Sequence, residues 1–152
     1  MQDVNKQNFA LEHEVSMKGQ HSLFVCTTCA SQWKDGKRVG ESGGEKLLKI
    51  LKQQCQGWEL EEEFAIQPVE CMSACSRSCA ISFASIGKYT YLFGDLSPDL
   101  SPVEITGVLE CANKYHTHPQ GLLPWAERPE PLKKGIVARI PPLLTPSNEQ
   151  SF

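Results

Sequence analysis

The sequence predicts one α/β domain, a four-stranded mixed sheet with two main helices, followed by a proline-rich C-terminal extension. Three observations carry this expectation. Ser-x-x-Glu capping boxes at Ser42 and Ser101 each open a stretch with apolar residues at helical spacing. Four short, β-prone apolar runs surround them. The chain has 152 residues, 40% of them hydrophobic, which is enough for one core and too little for two.

Taken in order, residues 1–19 are polar and without a sustained period, which predicts a flexible leader ahead of a domain over 20–120. Residues 21–25 (His-Ser-Leu-Phe-Val) read as a buried strand running into Cys26-Thr27-Thr28-Cys29. A polar, glycine-containing loop is expected over 31–40. The first helix then places Leu47, Leu48, Leu51 and Cys55 on one stripe and stops at Gly57, which tolerates the left-handed conformation of a C-terminal cap. Residues 64–69 predict a strand delivering Cys71, and residues 80–84 and 89–93, joined through Gly87-Lys88, predict a hairpin. Pro102 at the first helical position opens a second helix with Ile105, Val108, Leu109, Ala112 and Tyr115 on its apolar face. The order is β-α-β-β-β-α. Six of the ten prolines fall after residue 123, so residues 121–152 are expected to form an extension without regular helix or central strand. Within it, residues 135–140 are apolar enough to dock on the body or on a partner.

Fifteen Lys and Arg against eighteen Asp and Glu give a net charge of −3, which removes the general electrostatic case for a nucleic-acid or anionic-membrane partner and leaves room only for a local basic patch. No apolar run approaches the length of a membrane span, and the N-terminus lacks the features of a signal peptide, so the expected location is cytoplasmic. In that compartment seven cysteines are not a disulfide scaffold, and metal binding, redox chemistry or burial must account for them.

Five of the seven fall in two motifs, C-x2-C (Cys26, Cys29) and C-x3-C-x3-C (Cys71, Cys75, Cys79). If the strands before them are parallel neighbours joined by the first helix, both motifs lie beyond the carboxyl ends of those strands, on one edge of the sheet. Four thiolates around one centre suit tetrahedral zinc or a [2Fe-2S] cluster, and one thiol is then surplus. The spacing matches neither the two-cluster nor the plant-type ferredoxin run, and a C-x3-C knuckle is unusual for a zinc ribbon. Cys26 and Cys29 also have thioredoxin-type spacing, but the helix that would lower a thiol pKa begins only near Ser42.

The stretch Cys71-Met72-Ser73-Ala74-Cys75, followed by an apolar strand and Gly87-Lys88-Tyr89-Thr90-Tyr91, resembles the second half of thioredoxin-like [2Fe-2S] ferredoxins. Together with CTTC, CMSACSRSC, GKYTYLFGDL and ARIPP, residues 21–142 resemble a family of small bacterial proteins described as predicted metal-binding proteins of unknown function. The resemblance implies a thioredoxin-like fold. For the ferredoxin relatives it further implies a [2Fe-2S] cluster, electron transfer with a redox partner and a homodimer. For the metal-binding family it implies a role near metal or cobalamin homeostasis. Cys71 and Cys75 match the ferredoxin C-x3-C ligands and Cys26 the first ligand. Cys29 departs from the wider spacing of those ferredoxins, and Cys79 stands where they place a Gly-Pro turn.

The expected ligands are Cys26, Cys29, Cys71 and Cys75, with Cys79 as alternative or spare. The leading function is a non-enzymatic [2Fe-2S] electron carrier. A non-redox metal module holding zinc or passing a metal to a handling protein is the alternative, and a thiol-disulfide oxidoreductase is third. Cys55 and Cys111 are assigned to helix packing, and His116 and His118 to the end of the second helix rather than to a metal. Arg77 divides evenly between stabilising an anionic cluster and facing solvent, and Thr27, Thr28, Ser73, Ser76 and Ser78 between bonding cluster sulfurs and simple turn preference.

Overall fold

A computed structural model describes residues 20–143. The leader expected over 1–19 lies outside the described residues, as do residues 144–152. Among the described residues no helix is long and apolar enough to cross a membrane.

The main sheet has the order β4-β1-β5-β6-β7, built from β1 (His21–Cys26), β4 (Phe64–Val69), β5 (Ile81–Ser85), β6 (Thr90–Phe93) and β7 (Ile136–Ile140). β1 runs parallel to β4 and antiparallel to β5, and β5-β6 and β6-β7 are antiparallel. Helix α1 (Gly43–Cys55) connects the parallel pair, and α2 (Pro102–Thr117) follows the β5-β6 hairpin. This arrangement of β1, α1, β4, β5, β6 and α2 is the thioredoxin-like topology.

Both helices start where their capping boxes predict. The Ser42 hydroxyl accepts from the Glu45 N–H while the Glu45 carboxylate accepts from the Ser42 N–H, and Ser101 and Glu104 repeat the exchange. Alternation along the strands makes the core. Leu23, Phe83 and Tyr91 stand in one cross-strand row and Val25, Ile81 and Phe93 in the next, and all six are buried. Leu47 and Leu51 of α1 and Ile105, Val108 and Tyr115 of α2 complete the buried cluster. Each such side chain contributes roughly 1.5–3 kcal/mol by leaving water. Pro68, which cannot donate to a ladder, is accommodated because β4 is an edge strand.

The sheet has five strands rather than four, and a separate two-stranded ribbon, β2 (Gln32–Lys34) and β3 (Lys37–Val39), occupies the expected 31–40 loop. Asp35 and Gly36 both take positive φ, 53° and 75°, the pairing that a two-residue type I′ hairpin turn requires. The fifth strand comes from the proline-rich stretch. Prolines 131, 141 and 142 flank residues 136–140 without interrupting them, so this run pairs with β6 as an edge strand. A short helix, α3 (Glu130–Lys134), precedes it with proline in its first turn. The buried Arg128 guanidinium donates twice to the Leu123 carbonyl, at 3.0 and 2.8 Å, and the Leu123 N–H donates to the Tyr91 hydroxyl at 2.8 Å. Residues 121–140 are thereby fastened to the core.

Candidate functional site

Parallel pairing of β1 with β4 sets Cys26 opposite Val69, and Cys71 follows two residues later, so the two cysteine motifs meet at one edge of the sheet. The 26–29 loop is laced onto the end of β4. The Thr27 N–H and hydroxyl both donate to the Val69 carbonyl, at 2.8 and 3.2 Å, and the Thr28 hydroxyl donates to the Glu70 carbonyl at 2.6 Å. On the other side the Cys26 N–H donates to the Ala80 carbonyl at 3.1 Å, which brings in the segment carrying Cys79. The peptide bond that precedes Cys79, from Ser78, is cis, and Cys79 exchanges backbone hydrogen bonds with Leu96.

The five thiols divide by environment. Cys26, Cys29 and Cys79 are buried, whereas Cys71 and Cys75 are exposed. Burial alone would raise the Cys26 pKa. Hydrogen bonds from the Cys29 thiol, the Met72 N–H, and the Thr28 side chain and N–H outweigh it and hold Cys26 below the usual thiol value. Cys29 carries the proton of that pair, pushed up to about 11 by burial and then by the Cys26 sulfur beside it. Cys75 is raised by its neighbour Cys71, through a hydrogen bond and then charge, and more weakly by Cys26. Cys79 is raised by burial and then by the charge on Cys26. The Ser73 N–H donates to the Cys71 sulfur at 3.3 Å.

Cys26 and Cys29 shift each other's pKa in opposite directions, Cys71 raises that of Cys75, and Cys26 is electrostatically felt by both Cys75 and Cys79. Among the described residues no group of three or more His, Cys, Asp or Glu side chains is gathered in metal-holding geometry. The donor set is nonetheless all sulfur, the chemistry that fits a thiophilic metal or an iron–sulfur cluster.

Cys55 and Cys111 sit in the buried stripes of α1 and α2, where burial pushes their thiols up to about 11 and about 12. His116 packs beside His21, 4.7 Å between ring centroids, at the opposite end of β1 from Cys26, and pairs with Glu63 at 3.7 Å. His118 caps the end of α2, its Nδ1 accepting the N–H groups of Gln120 and Leu122. Neither histidine reaches the thiols.

Arg77 does something different from both expectations for it. Its guanidinium donates to Asp95 at 3.0 and 2.6 Å and to the carbonyls of Ile136 and Lys134 at 3.2 and 3.4 Å. It ties the turn between Cys75 and Cys79 to the start of β7. Gly94 makes room for this, since a Cβ there would lie 2.6 Å from the Arg77 carbonyl oxygen.

Residues the cysteine spacing does not reveal are Ser42, Gly43 and Gly44. The first turn of α1 packs directly behind the 26–29 loop. The Gly44 N–H donates to the Cys29 carbonyl at 2.9 Å and the Gly43 N–H to the Ala30 carbonyl at 3.1 Å, while the Ser42 hydroxyl donates to the Thr27 carbonyl. A Cβ on Gly44 would collide with the Cys26 carbonyl, and one on Gly43 would lie 3.2 Å from the Cys79 sulfur. The available signal was two glycines in a first helical turn, each costing up to about 1 kcal/mol of helix propensity and so requiring a packing reason.

Fold and site together define a thioredoxin-like α/β domain that carries two thiol pairs and a fifth buried thiol at one sheet edge. Over residues 23–142 the sequence matches the family described as "Protein of unknown function (DUF1636)", and the chain belongs to it. No curated protein matches the sequence. Among solved structures the chain is similar to a thioredoxin-like [2Fe-2S] ferredoxin from Aquifex aeolicus, at 17% identity and a TM-score of 0.47, covering 82% of this chain and 97% of that one. It is also similar to a 1.5 Å crystal structure described as the wild-type thioredoxin-like [2Fe-2S] ferredoxin from that organism, at 18% identity and a TM-score of 0.45, covering 78% of this chain and 96% of that one.

Proposed function

We propose that this protein holds a [2Fe-2S] cluster through Cys26, Cys29, Cys71 and Cys75, and acts as a single-electron carrier rather than as an enzyme. The observation that carries the reading is the meeting of the two cysteine motifs at one sheet edge, with Cys26 held toward its thiolate form. The motif resemblance favours iron–sulfur over zinc. A bound cluster would supply the one-electron redox couple. The chain supplies the rest. The β1-β4 edge buries Cys26 and Cys29, the Ser73 N–H donates to the Cys71 sulfur, and such hydrogen bonds to ligand sulfurs tune a cluster's potential. Cys79, buried within the electrostatic reach of Cys26, is the competing fourth ligand.

A second reading, thiol-disulfide exchange at Cys26 and Cys29, draws on the opposite pKa shifts of those two thiols and on the N-terminus of α1 behind them. Their burial works against it, because a substrate disulfide must reach the attacking sulfur. The deciding experiment is anaerobic purification followed by visible spectroscopy with iron, sulfide and zinc analysis, before and after dithionite. About two irons and two sulfides per chain with visible absorption that bleaches on reduction are expected. A colourless protein with about one zinc would make it a non-redox metal module. A metal-free protein with dithiol activity would establish the second reading.

A further inference from the structure

The β2-β3 ribbon emerges from the thiol loop and returns to it. Its base is closed by the Gly43 N–H bonded to the Ala30 carbonyl and the Gly44 N–H bonded to the Cys29 carbonyl. Between these points all six strand residues are exposed, and Trp33 is 68% exposed. The type I′ turn at Asp35-Gly36 gives the ribbon a defined shape.

Its chemistry opposes its stability. Lys34 and Lys37 face each other across the strands, a like-charge pair that destabilises a two-stranded sheet, and Arg38 adds a third positive charge on the other face, opposite Trp33. Asp35 sits in the turn, and Glu45 stands 3.9 Å from Arg38 with both side chains well exposed, a pair worth little in water. A chain of net charge −3 thus concentrates three positive charges against one negative within residues 32–39, with Arg38 opposite the exposed Trp33 on one face of the ribbon and the two lysines on the other. A local conflict of this kind without compensation within the fold marks a surface shaped by something outside it.

We propose that the ribbon is the docking arm for a partner protein that presents carboxylates around an apolar spot, and that it brings this partner over the exposed Cys71 and Cys75. The partner takes the ribbon between two walls: on one face carboxylates relieve the Lys34–Lys37 repulsion, and on the other the apolar spot covers Trp33, a side-chain type enriched at interface hot spots. A nucleic acid fits less well, because so small a basic patch on an acidic chain neutralises few phosphates. The docking rests on the thiol-edge reading only for what is exchanged there, not for its occurrence.

The test measures fluorescence anisotropy of two labelled probes with the full-length, as-purified protein: an acidic peptide of about a dozen residues rich in Glu with two Leu, and a single-stranded oligonucleotide of similar charge. We expect the peptide to bind more tightly than the oligonucleotide. Affinity should fall roughly tenfold between low and high salt, as screening of exposed charges dictates. The Lys34→Glu/Lys37→Glu/Arg38→Glu variant should lose binding at least about tenfold, and Trp33→Ala should lose it severalfold. Metal content and circular dichroism should match the parent in both variants. Undiminished binding by the triple variant, no peptide binding by the parent, or tighter binding of the oligonucleotide each overturns the proposal. Cys71→Ser separates the two readings: metal lost with peptide binding kept leaves the arm standing, and peptide binding lost along with the metal overturns the arm as an independent site.

Discussion

Cys26 and Cys29 lie in a loop held on three sides, by the end of β4, by the Ala80 carbonyl of the adjoining segment and by the first turn of α1. Cys71 and Cys75 lie outside the strands, exposed, in a segment held at its two ends, by the Thr28 hydroxyl on the Glu70 carbonyl and by the contacts of Arg77 and Cys79. The difference teaches that the two motifs are not equivalent halves of a site. The first is built into the scaffold and the second is laid over it, so the same substitution should have different consequences in each.

The largest effect expected is on metal retention. Cys26→Ser and Cys71→Ser should both abolish it, read as iron or zinc per chain. Only Cys26→Ser should also lower the stability of the metal-free protein, by about 1–3 kcal/mol, because it puts a hydroxyl where a buried thiol packs. Cys71→Ser, at an exposed site, should change that stability by less than about 0.5 kcal/mol. Equal stability losses would break the comparison.

Alkylation sharpens it next. In metal-free, reduced protein, iodoacetamide should label Cys71 and Cys75 at least about tenfold faster than Cys26, Cys29 or Cys79, resolved by peptide mass spectrometry. Reaction needs an accessible sulfur as well as a thiolate. Rapid labelling of Cys26 would mean that its loop opens readily.

The buried half also has an acid-sensitive far end. His21 starts the strand that Cys26 ends, and among the described residues neither of its ring nitrogens has a hydrogen-bond partner. Burial, then the charges of Lys88 and His116, lower its pKa to about 4. The unfolded chain takes up a proton near pH 6.5 that the folded chain refuses. The stability tied to neutral His21 is therefore fully present above about 6.5 and is lost as pH falls toward about 4, on the order of 3 kcal/mol in total. Urea unfolding at pH 7.5 and 4.5 should show this, and His21→Phe should shrink the difference.

The smallest effect concerns the tie on the exposed half. Arg77→Ala removes a half-exposed ion pair and two hydrogen bonds to carbonyls, which should cost about 1 kcal/mol. Hydrogen exchange should rise in residues 134–140 and around Cys75 and leave the 26–29 loop unchanged. Protection unchanged in 134–140 would show that β7 holds without the arginine.

Most of the scaffold was legible in the sequence because its signals are local. Both capping boxes and both helical stripes appear where Ser42 and Ser101 announce them, and the crossover argument correctly brings the Cys26 and Cys71 motifs to one edge. The ribbon escaped because Gln32, Trp33 and Lys34 face Lys37, Arg38 and Val39 with no apolar face to alternate, although Asp35-Gly36 is itself a hairpin signal. β7 escaped because prolines on either side of residues 136–140 outweigh the run between them. The roles of Arg77 and of Gly43-Gly44 depend on residues far away in the chain, and periodicity carries no trace of such contacts.

The carbonyls of Lys134 and Ile136 that hold Arg77 lie 57 and 59 positions further along the chain. At a synthesis rate of roughly 5–20 residues per second, they emerge about 3–12 s after Arg77 does. During that interval the nascent chain already presents every cysteine of both motifs, while the segment carrying Cys75 still lacks its last anchor. An ion or oxidant arriving then meets a looser set of thiols than the finished protein offers, so the order of translation and loading bears on which sulfurs end up joined.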